Sequence, residues 1–499
     1  MDTIQGVQRV FDLQKANYKR SKIVPYDVRM DRLARIDVLF RENYPIMVKT
    51  LQKDFGTRDP DVAFLGDIYS PLENVAVARK NLKSWMKPKR QSDGILRLLG
   101  QRSYIQNEPL GVVGVISPFN APITLAFDPA IDAIAAGNTV IMRFPEAMPA
   151  TGTLMTELVT KYFEPAEMAV ATGDLELAKF FSSLPWDMLA FTGGGTTARH
   201  IMAAAAKNLT PVLLELGGKS PIIVLEDADL RVVARKTVKT RLMNGGQVCI
   251  AGDYALVPET KLEEFLSMLM EEAQTIYPSV LDNPRYTSVV GETSFNRLTN
   301  YLDEARENDV RVIEFNPNNE ALPSPETGKF PLSIAINPGP ELRLSCEEIF
   351  GPILPVLSYE SLGDAIETIN SKEKPLALYI FGHNRAEIDR VLEQTSSGGV
   401  TVNDFLMHAG SHSMGFGGVG ESGMGRYKGG KVGFQAFSNL KSVFEQGILG
   451  RFSQNFTPPL DTVTTPQWAK GVPGKFLQNF MPPSGNRARK ILRSRIGLK

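Results

Sequence analysis

Between residues 105 and 226 the sequence alternates short apolar runs rich in β-branched residues (GVVGVIS, NTVIMRF, AVATG, MLAFTG, PVLLEL and PIIVLED) with stretches of helical spacing. Runs that stay apolar along their whole length suit strands buried on both faces, and parallel strands need crossovers long enough for a helix. The alternation therefore predicts βαβ units and an α/β fold, a parallel sheet with helices on both faces. Further runs at YALVP, LPVLSY, ALYIFG and GGVTVND, with helices such as 260–275 between them, predict a second α/β domain across 254–404. Ahead of both, Leu33, Ile36, Leu39 and Phe40 recur at helical spacing, and Pro45 is expected to divide residues 27–55 into two helices. No internal repeat is found.

With 499 residues, 43% hydrophobic and 22% charged, the chain has material for two or three domains of ordinary globular composition. Its first residues, MDTIQGVQRVFDLQ, lack the basic start and apolar run of a secretory signal, and no later stretch offers eighteen uninterrupted apolar residues. A cytoplasmic location is expected. The last fifteen residues hold six basic residues and no acidic one, which leaves residues 1–484 with 49 basic against 55 acidic. A mildly acidic body argues against a nucleic-acid partner, whose phosphates call for a dominant positive field.

Two glycine motifs are set aside. GVGESG, residues 418–423, satisfies GxGxxG, but no helical pattern opens at its third glycine, so it reads as a structural loop. GGKS, residues 217–220, imitates the end of a phosphate-binding P-loop, but Leu213 stands where the first glycine is needed. Four scattered histidines and two cysteines give no metal-ligand spacing, and no metal is expected.

The stretch NGGQVCIAGD, residues 244–253, sets Cys249 among glycines and beside Asn244 and Gln247. A lone cysteine is often a small buried hydrophobe, but these neighbours suit close approach of a ligand better than apolar packing. A thiol is also well suited to attack a carbonyl carbon. None of the histidines stands in a cysteine-protease signature. The partner candidate is Glu215 in LLELGGKSP, a carboxylate at the end of an apolar strand run. Two readings of it stay open: a salt bridge to Lys219, or a general base with a pKa raised by burial. Cys346, beside Glu347 and Glu348, reads as structural, because acidic neighbours raise a thiol's pKa.

LELGGKSP followed by the cysteine of NGGQVCIAGD resembles the aldehyde dehydrogenase superfamily. PLGVVGVISPFNAP, FTGG at 191–194, EEIFGPILPV and GFGGVGESGMGRYKGGKVGFQAFS are similar to further motifs of that family in the same order, covering about residues 25–447. The closing segment resembles the class 3 branch, and GGGTTARHIM with NLTPVLLELGGKSP is most similar to bacterial coniferyl aldehyde dehydrogenases.

The resemblance implies NAD(P)-dependent oxidation of an aldehyde, aromatic, cinnamyl-type or long-chain, to the acid by way of a cysteine thiohemiacetal and thioester. Cys249 is then the nucleophile, Glu215 the base that activates water, and Asn120 the oxyanion donor. Ser117, Arg143, Glu146, Gly193, Glu348 and Phe350 fall in the cofactor site, with Glu348 and Phe350 on the nicotinamide ribose and ring. Arg143 replaces the family's lysine, while the acidic ribose partner is kept as Glu146, so NAD is expected with NADP also used. Ala121 stands where relatives place an aromatic residue, implying a wider tunnel, with Phe119, Phe127, Phe405 and Met407 as lining candidates.

The implied layout is an NAD-binding domain of residues 1–96 and 112–216, a catalytic domain of 217–403, and a small β oligomerisation element of 97–111 with 404–447. Residues 448–499 form a C-terminal extension. A homodimer is expected, and the basic tail allows weak contact with a membrane surface. Two other readings stay open: a coenzyme A-acylating aldehyde dehydrogenase, disfavoured by Glu215, and a catalytically silent binding protein on the same scaffold.

Overall fold

The computed structural model describes residues 1–91 and 101–445, which fall into two compact units. The large unit, Met1–Lys87 with Asn107–Leu440, contains two sheets. The first is built on five parallel strands in the spatial order Val212–Glu215, Met188–Thr192, Val112–Ile116, Thr139–Arg143 and Met168–Ala171. Chain order thus runs outward in both directions from Val112–Ile116. The loops that follow Ile116 and Thr192 diverge and leave a crevice at the carboxyl ends of the strands, the usual ligand position in such sheets.

The second sheet has seven strands from Pro221–Val224 to Gly399–Val402, all parallel except the edge pair Arg311–Glu314 and Ser333–Ile336. Only residues 216–220 separate the two sheets along the chain. The apolar strand runs of the sequence are buried on both faces, as their composition implied.

The expected break at Pro45 does not occur. A single helix, Tyr26–Phe55, runs through it. Proline in a helix interior costs about 3 kcal/mol. Leu33, Ile36, Leu39 and Phe40 before it, and Met47, Leu51 and Phe55 after it, are all buried on one face. Burying several such side chains, at about 1.5–3 kcal/mol each, outweighs that cost.

The GVGESG segment is a loop, as read, with a short strand attached. Gly420–Ser422 makes a tight turn, and Gly423–Met424 then pairs antiparallel with Val212–Glu215, adding a sixth strand to the first sheet. The chain next places helix Lys431–Ala436 against helix Pro122–Ala136, so closely that a Cβ on Gly433 would lie 2.0 Å from an Asp132 oxygen. Residues 107–111 and 404–440 therefore belong to the large unit, not to a separate element with residues 97–106.

The described part of the second unit is built on a three-stranded sheet in which Arg102–Pro109 lies between Lys89–Arg90 and Ser438–Glu445. Lys89 pairs with Ile105 and Arg90 with Tyr104, whose hydroxyl donates to Glu445 across 3.0 Å. The proline-rich segment and basic tail at 448–499 lie outside the described residues. Among the described residues, no helix is long and apolar enough to cross a membrane.

Candidate active site

Cys249 follows a tight turn, Met243–Gly246, in which Asn244, Gly245 and Gly246 all have positive φ. Gly246 cannot be replaced: a Cβ there would lie 2.3 Å from the Gly351 carbonyl oxygen. Gln247, fully buried, donates to the carbonyls of Asn244 and Ser288 and accepts from the Val290 N–H at 2.9 Å. The polar neighbours that made Cys249 conspicuous thus brace the loop that carries it.

Asn120 lies on the loop between strand Val112–Ile116 and helix Pro122–Ala136. Its carbonyl accepts from Asn244 Nδ2 at 2.9 Å and from Arg58 Nη2 at 3.3 Å. Its own side-chain amide donates to the Gln247 carbonyl at 3.1 Å. Arg58 is in turn paired with Asp67 at 2.8 Å, both fully buried, and Asp67 accepts the N–H groups of Ile123 and Thr124 at the start of the helix. Neither Arg58 nor Asp67 was marked by any motif.

Glu215 ends its strand fully buried. Lys219 does not pair with it. That ammonium is held by Asp253 at 2.7 Å and by the carbonyls of Leu344 and Glu347, so the salt-bridge reading fails. Burial pushes the Glu215 carboxyl up to about 7, against the opposing pull of Cys249, Thr192, Lys428 and Tyr427. The Tyr427 hydroxyl lies 3.5 Å from Oε2, and Oε1 has no hydrogen-bond partner among the described residues. Burial, then the Glu215 charge, pushes the Cys249 thiol well up. The pair thus holds a thiol proton beside a carboxylate that titrates near neutrality.

Two cavities meet at these groups. One of about 250 Å³ is lined by Phe119, Gly193, Gly194, Gly217, Glu348 and Phe350, among others. A second of about 560 Å³ is lined by Ala121, Leu125, Val248, Leu406, Met407 and Tyr427, among others. Asn120, Glu215 and Cys249 are the residues that line both.

The smaller cavity lies at the crevice where the loops after Ile116 and Thr192 diverge. Helix Gly195–Ala206 opens there with Gly194 as its N-cap, no side chain caps it, and nothing lies within 4 Å of where a Gly194 Cβ would be. Free N–H groups at an open helix start fit a pyrophosphate. Glu348 is held over Gly217, where a Cβ would fall 2.0 Å from its carboxylate oxygen, and burial pushes its carboxyl up to about 8. Phe350, at φ +49, presents its ring 5.8 Å from that of Phe119. A left-handed phenylalanine is strained, and such strain concentrates at ligand sites. These residues fit a dinucleotide.

The remaining candidates divide. Met407 and Ala121 line the larger cavity. Phe119 lines the smaller one, which places it with the cofactor set. Phe405 is core: it is buried and stacks on Tyr379 at 4.4 Å and Phe381 at 5.1 Å. Phe127 is also core, against Phe40. Ser117 donates from its N–H and hydroxyl to the Arg143 carbonyl and reaches neither cavity. Arg143 is buried and ion-paired with half-exposed Glu146. Cys346 is exposed, outside both cavities, with its thiol donating to the Pro340 carbonyl.

A family model described as "Aldehyde dehydrogenase family" matches residues 3–443. A coniferyl aldehyde dehydrogenase of Pseudomonas sp. is 41% identical over 85% of this chain and 87% of its own length. The chain belongs to the aldehyde dehydrogenase family. Among solved structures, the substrate-bound AldH of Staphylococcus aureus aligns with a TM-score of 0.85 and 32% identity over 96% of this chain and all of that one. An indole-3-acetaldehyde dehydrogenase complexed with NAD+ aligns with a TM-score of 0.79 and 25% identity over 89% of each chain. This aldehyde dehydrogenase oxidises an aldehyde to a carboxylic acid in an NAD(P)-dependent reaction.

Proposed function

We propose that Cys249 is the nucleophile, Glu215 the base and Asn120 the oxyanion donor in the oxidation of an aromatic, cinnamyl-type or long-chain aldehyde. The observation that carries this reading is that these three side chains line both cavities, where a carbonyl entering from one side meets a hydride acceptor entering from the other. The Cys249 thiol loses its proton to solvent as sulfur bonds to the carbonyl carbon. The Asn120 amide and the Cys249 N–H stabilise the oxyanion. Bound nicotinamide supplies the acceptor for the hydride, leaving a thioester on Cys249. Glu215 takes a proton from water, whose oxygen attacks the thioester, and passes that proton to the departing sulfur, releasing the acid and the thiol.

Glu348 and Phe350 would hold the nicotinamide ribose and ring, Gly193 and the helix start at Gly195 the pyrophosphate, and Glu146 with Arg143 the adenosine ribose. The substrate range follows from the apolar walls of the larger cavity and the small Ala121, and is in keeping with the name of the Pseudomonas relative. Intact mass measurement tests the assignment: Glu215→Gln given aldehyde and NAD should gain the mass of one acyl group on Cys249. An unmodified chain after turnover has begun would refute it. Acid released at the same rate with and without coenzyme A would set the acylating reading aside.

The same reading takes the protein as cytoplasmic and homodimeric, with the 485–499 tail docked on the acidic body or the partner subunit, and weak contact of that tail with an anionic membrane surface as the second reading. Light scattering and co-sedimentation with anionic vesicles, with and without the tail, test these points.

A further inference from the structure

The loop that carries Asn120 leads into a helix that its own sequence leaves uncapped. The N-cap of helix Pro122–Ala136 is Ala121, whose methyl group cannot accept a hydrogen bond, and Pro122 after it has no N–H. The first two N–H groups of the helix, on Ile123 and Thr124, go instead to a single carboxylate oxygen, Asp67 Oδ1, at 2.9 and 3.2 Å. Asp67 comes from a distant part of the chain. It lies in the π-helical stretch Phe64–Tyr69, between helices Pro60–Ala63 and Ser70–Trp85. Stretches of this kind are rare and occur frequently at functional sites.

The other Asp67 oxygen faces Arg58. Nη1 of Arg58 lies 2.8 Å from Oδ2, Nη2 donates to the Asn120 carbonyl at 3.3 Å, and the guanidinium stacks 4.4 Å from the centre of the Phe55 ring. The same carbonyl accepts from Asn244 at 2.9 Å, so both of its lone pairs are taken. Arg58 is 2% exposed and Asp67 fully buried. Withdrawing two charges from water costs about as much as their attraction returns, and apolar residues of similar size often stabilise a fold as well or better. Direction therefore accounts for this pair better than stability does. Asp67 fixes where the helix begins, and Arg58 fixes the peptide plane that follows Asn120.

We propose that Arg58 and Asp67 are positioning residues for the reaction, a buried clamp on the Asn120 loop that aims the free N–H of the Asn120 amide at the aldehyde oxygen. This rests on Asn120 as the oxyanion donor. Neither residue has to touch substrate: Asp67 lines neither cavity, and Nε and Nη1 of Arg58 are closed off from solvent. Aim matters because a displacement of about 1 Å in a catalytic group can cost about 100-fold in rate. The oxyanion is common to every aldehyde, so loss of the clamp should not sort substrates.

The test is a double-mutant cycle. Arg58→Met with Asp67→Asn removes the clamp without stranding a buried charge, and keeps an acceptor for Ile123 and Thr124. This double variant should lose about 10- to 100-fold in kcat, by the same factor for acetaldehyde and cinnamaldehyde, with KM and NAD affinity within about threefold of the parent. Added to Asn120→Ala, the same two changes should cost less than about twofold more, because the group they aim is gone. Undiminished kcat, a loss confined to KM or to one aldehyde, or a full further loss on top of Asn120→Ala overturns the clamp. A merely structural pair would give the last of these results. Should the double variant fail to fold, Arg58→Lys enters the same cycle: a point charge replaces the planar fork, and kcat should fall about threefold or more and in the same coupled way. Unchanged kcat there overturns the proposal. Full activity in Asn120→Ala alone would instead sink the oxyanion reading. A crystal structure of whichever clamp variant folds then judges the clamp by itself: Asn120 should move by about 1 Å or more, and an unmoved Asn120 overturns it.

Discussion

The side-chain amide of Asn120 donates to the main-chain carbonyl of Gln247 across 3.1 Å, two residues before the thiol of Cys249. An amide nitrogen has two N–H groups, so this bond occupies one and fixes the direction of the other. Asn120→Ala should lower kcat by about 100- to 1000-fold, the usual cost of an oxyanion donor, while NAD affinity is kept. Asn120→Asp should be no better, since it offers acceptors where a donor is needed. Steady-state kinetics with fluorescence titration of NAD separates the two effects. Full activity in either variant would remove Asn120 from the chemistry.

Cys249→Ala removes the only cysteine that lines either cavity. Turnover should fall to background with NAD binding and melting temperature retained. Substantial residual dehydrogenase activity would assign the nucleophile elsewhere.

Because burial lifts Glu215 to about 7, the base is ionised only above neutrality. It accepts a proton from water in that ionised form, so the hydrolytic step should accelerate as pH rises through about 7 and slow below it. Glu215→Gln should keep a burst of NADH but hydrolyse the thioester slowly and without that pH dependence. Stopped-flow absorbance from pH 5.5 to 8.5 measures both phases, and equal loss of the two would overturn its assignment to the hydrolytic step.

Ala121 lines the larger cavity at the entry to helix Pro122–Ala136. Ala121→Phe fills space in that cavity. It should reduce kcat/KM for cinnamaldehyde by about tenfold or more and affect acetaldehyde much less, since specificity follows what the pocket can hold. Equal losses for both would show that residue 121 does not shape the tunnel.

Arg143 and Glu146 form an ion pair beside the first sheet. A free carboxylate at the adenosine ribose accepts from both hydroxyls and repels a 2′-phosphate, while the paired guanidinium offsets that repulsion. Glu146→Gln should shift the NADP to NAD ratio of kcat/KM upward. An unchanged ratio would mean that Glu146 does not reach the ribose.

Burial also pushes Asp132 up to about 8, from an ordinary value near 4. Between those values the folded chain holds a proton that the unfolded chain releases, so this group makes stability fall as pH rises from about 4 to about 8. Asp132→Asn stays neutral throughout. Its melting temperature relative to the parent should therefore climb across that window and level off above it. Parallel melting curves from pH 5 to 9 would show that Asp132 is already ionised in the fold.

What the sequence disclosed and what it hid divide along one physical line. Cys249, Glu215, Asn120 and Glu348 sit in short local motifs whose glycines and strand endings dictate their own geometry. The strands around them were legible for the same reason. Tyr427 and Lys428 follow directly on Gly423–Met424, which crosses back onto the first sheet, a pairing of two residues that no periodicity marks. Phe405 and Phe119 were misplaced because composition says that an aromatic side chain is buried but not which wall it faces. Lys219 was a plausible partner for Glu215 by sequence distance, yet it lies in the connection between the two sheets and its ammonium pairs with Asp253. Pro45 was read by local propensity, and the apolar face of the helix overrode it.

The pairing of Gly423 with Glu215, with the Leu216 N–H bonded to the Ser422 carbonyl at 3.0 Å, also sets an order of events in time. A ribosome delivers nucleophile and base long before it delivers the strand that fastens the base and the tyrosine that faces it. A nascent chain stalled before Gly423 carries its reactive thiol without the finished chamber around it. This enzyme is armed late in its own synthesis.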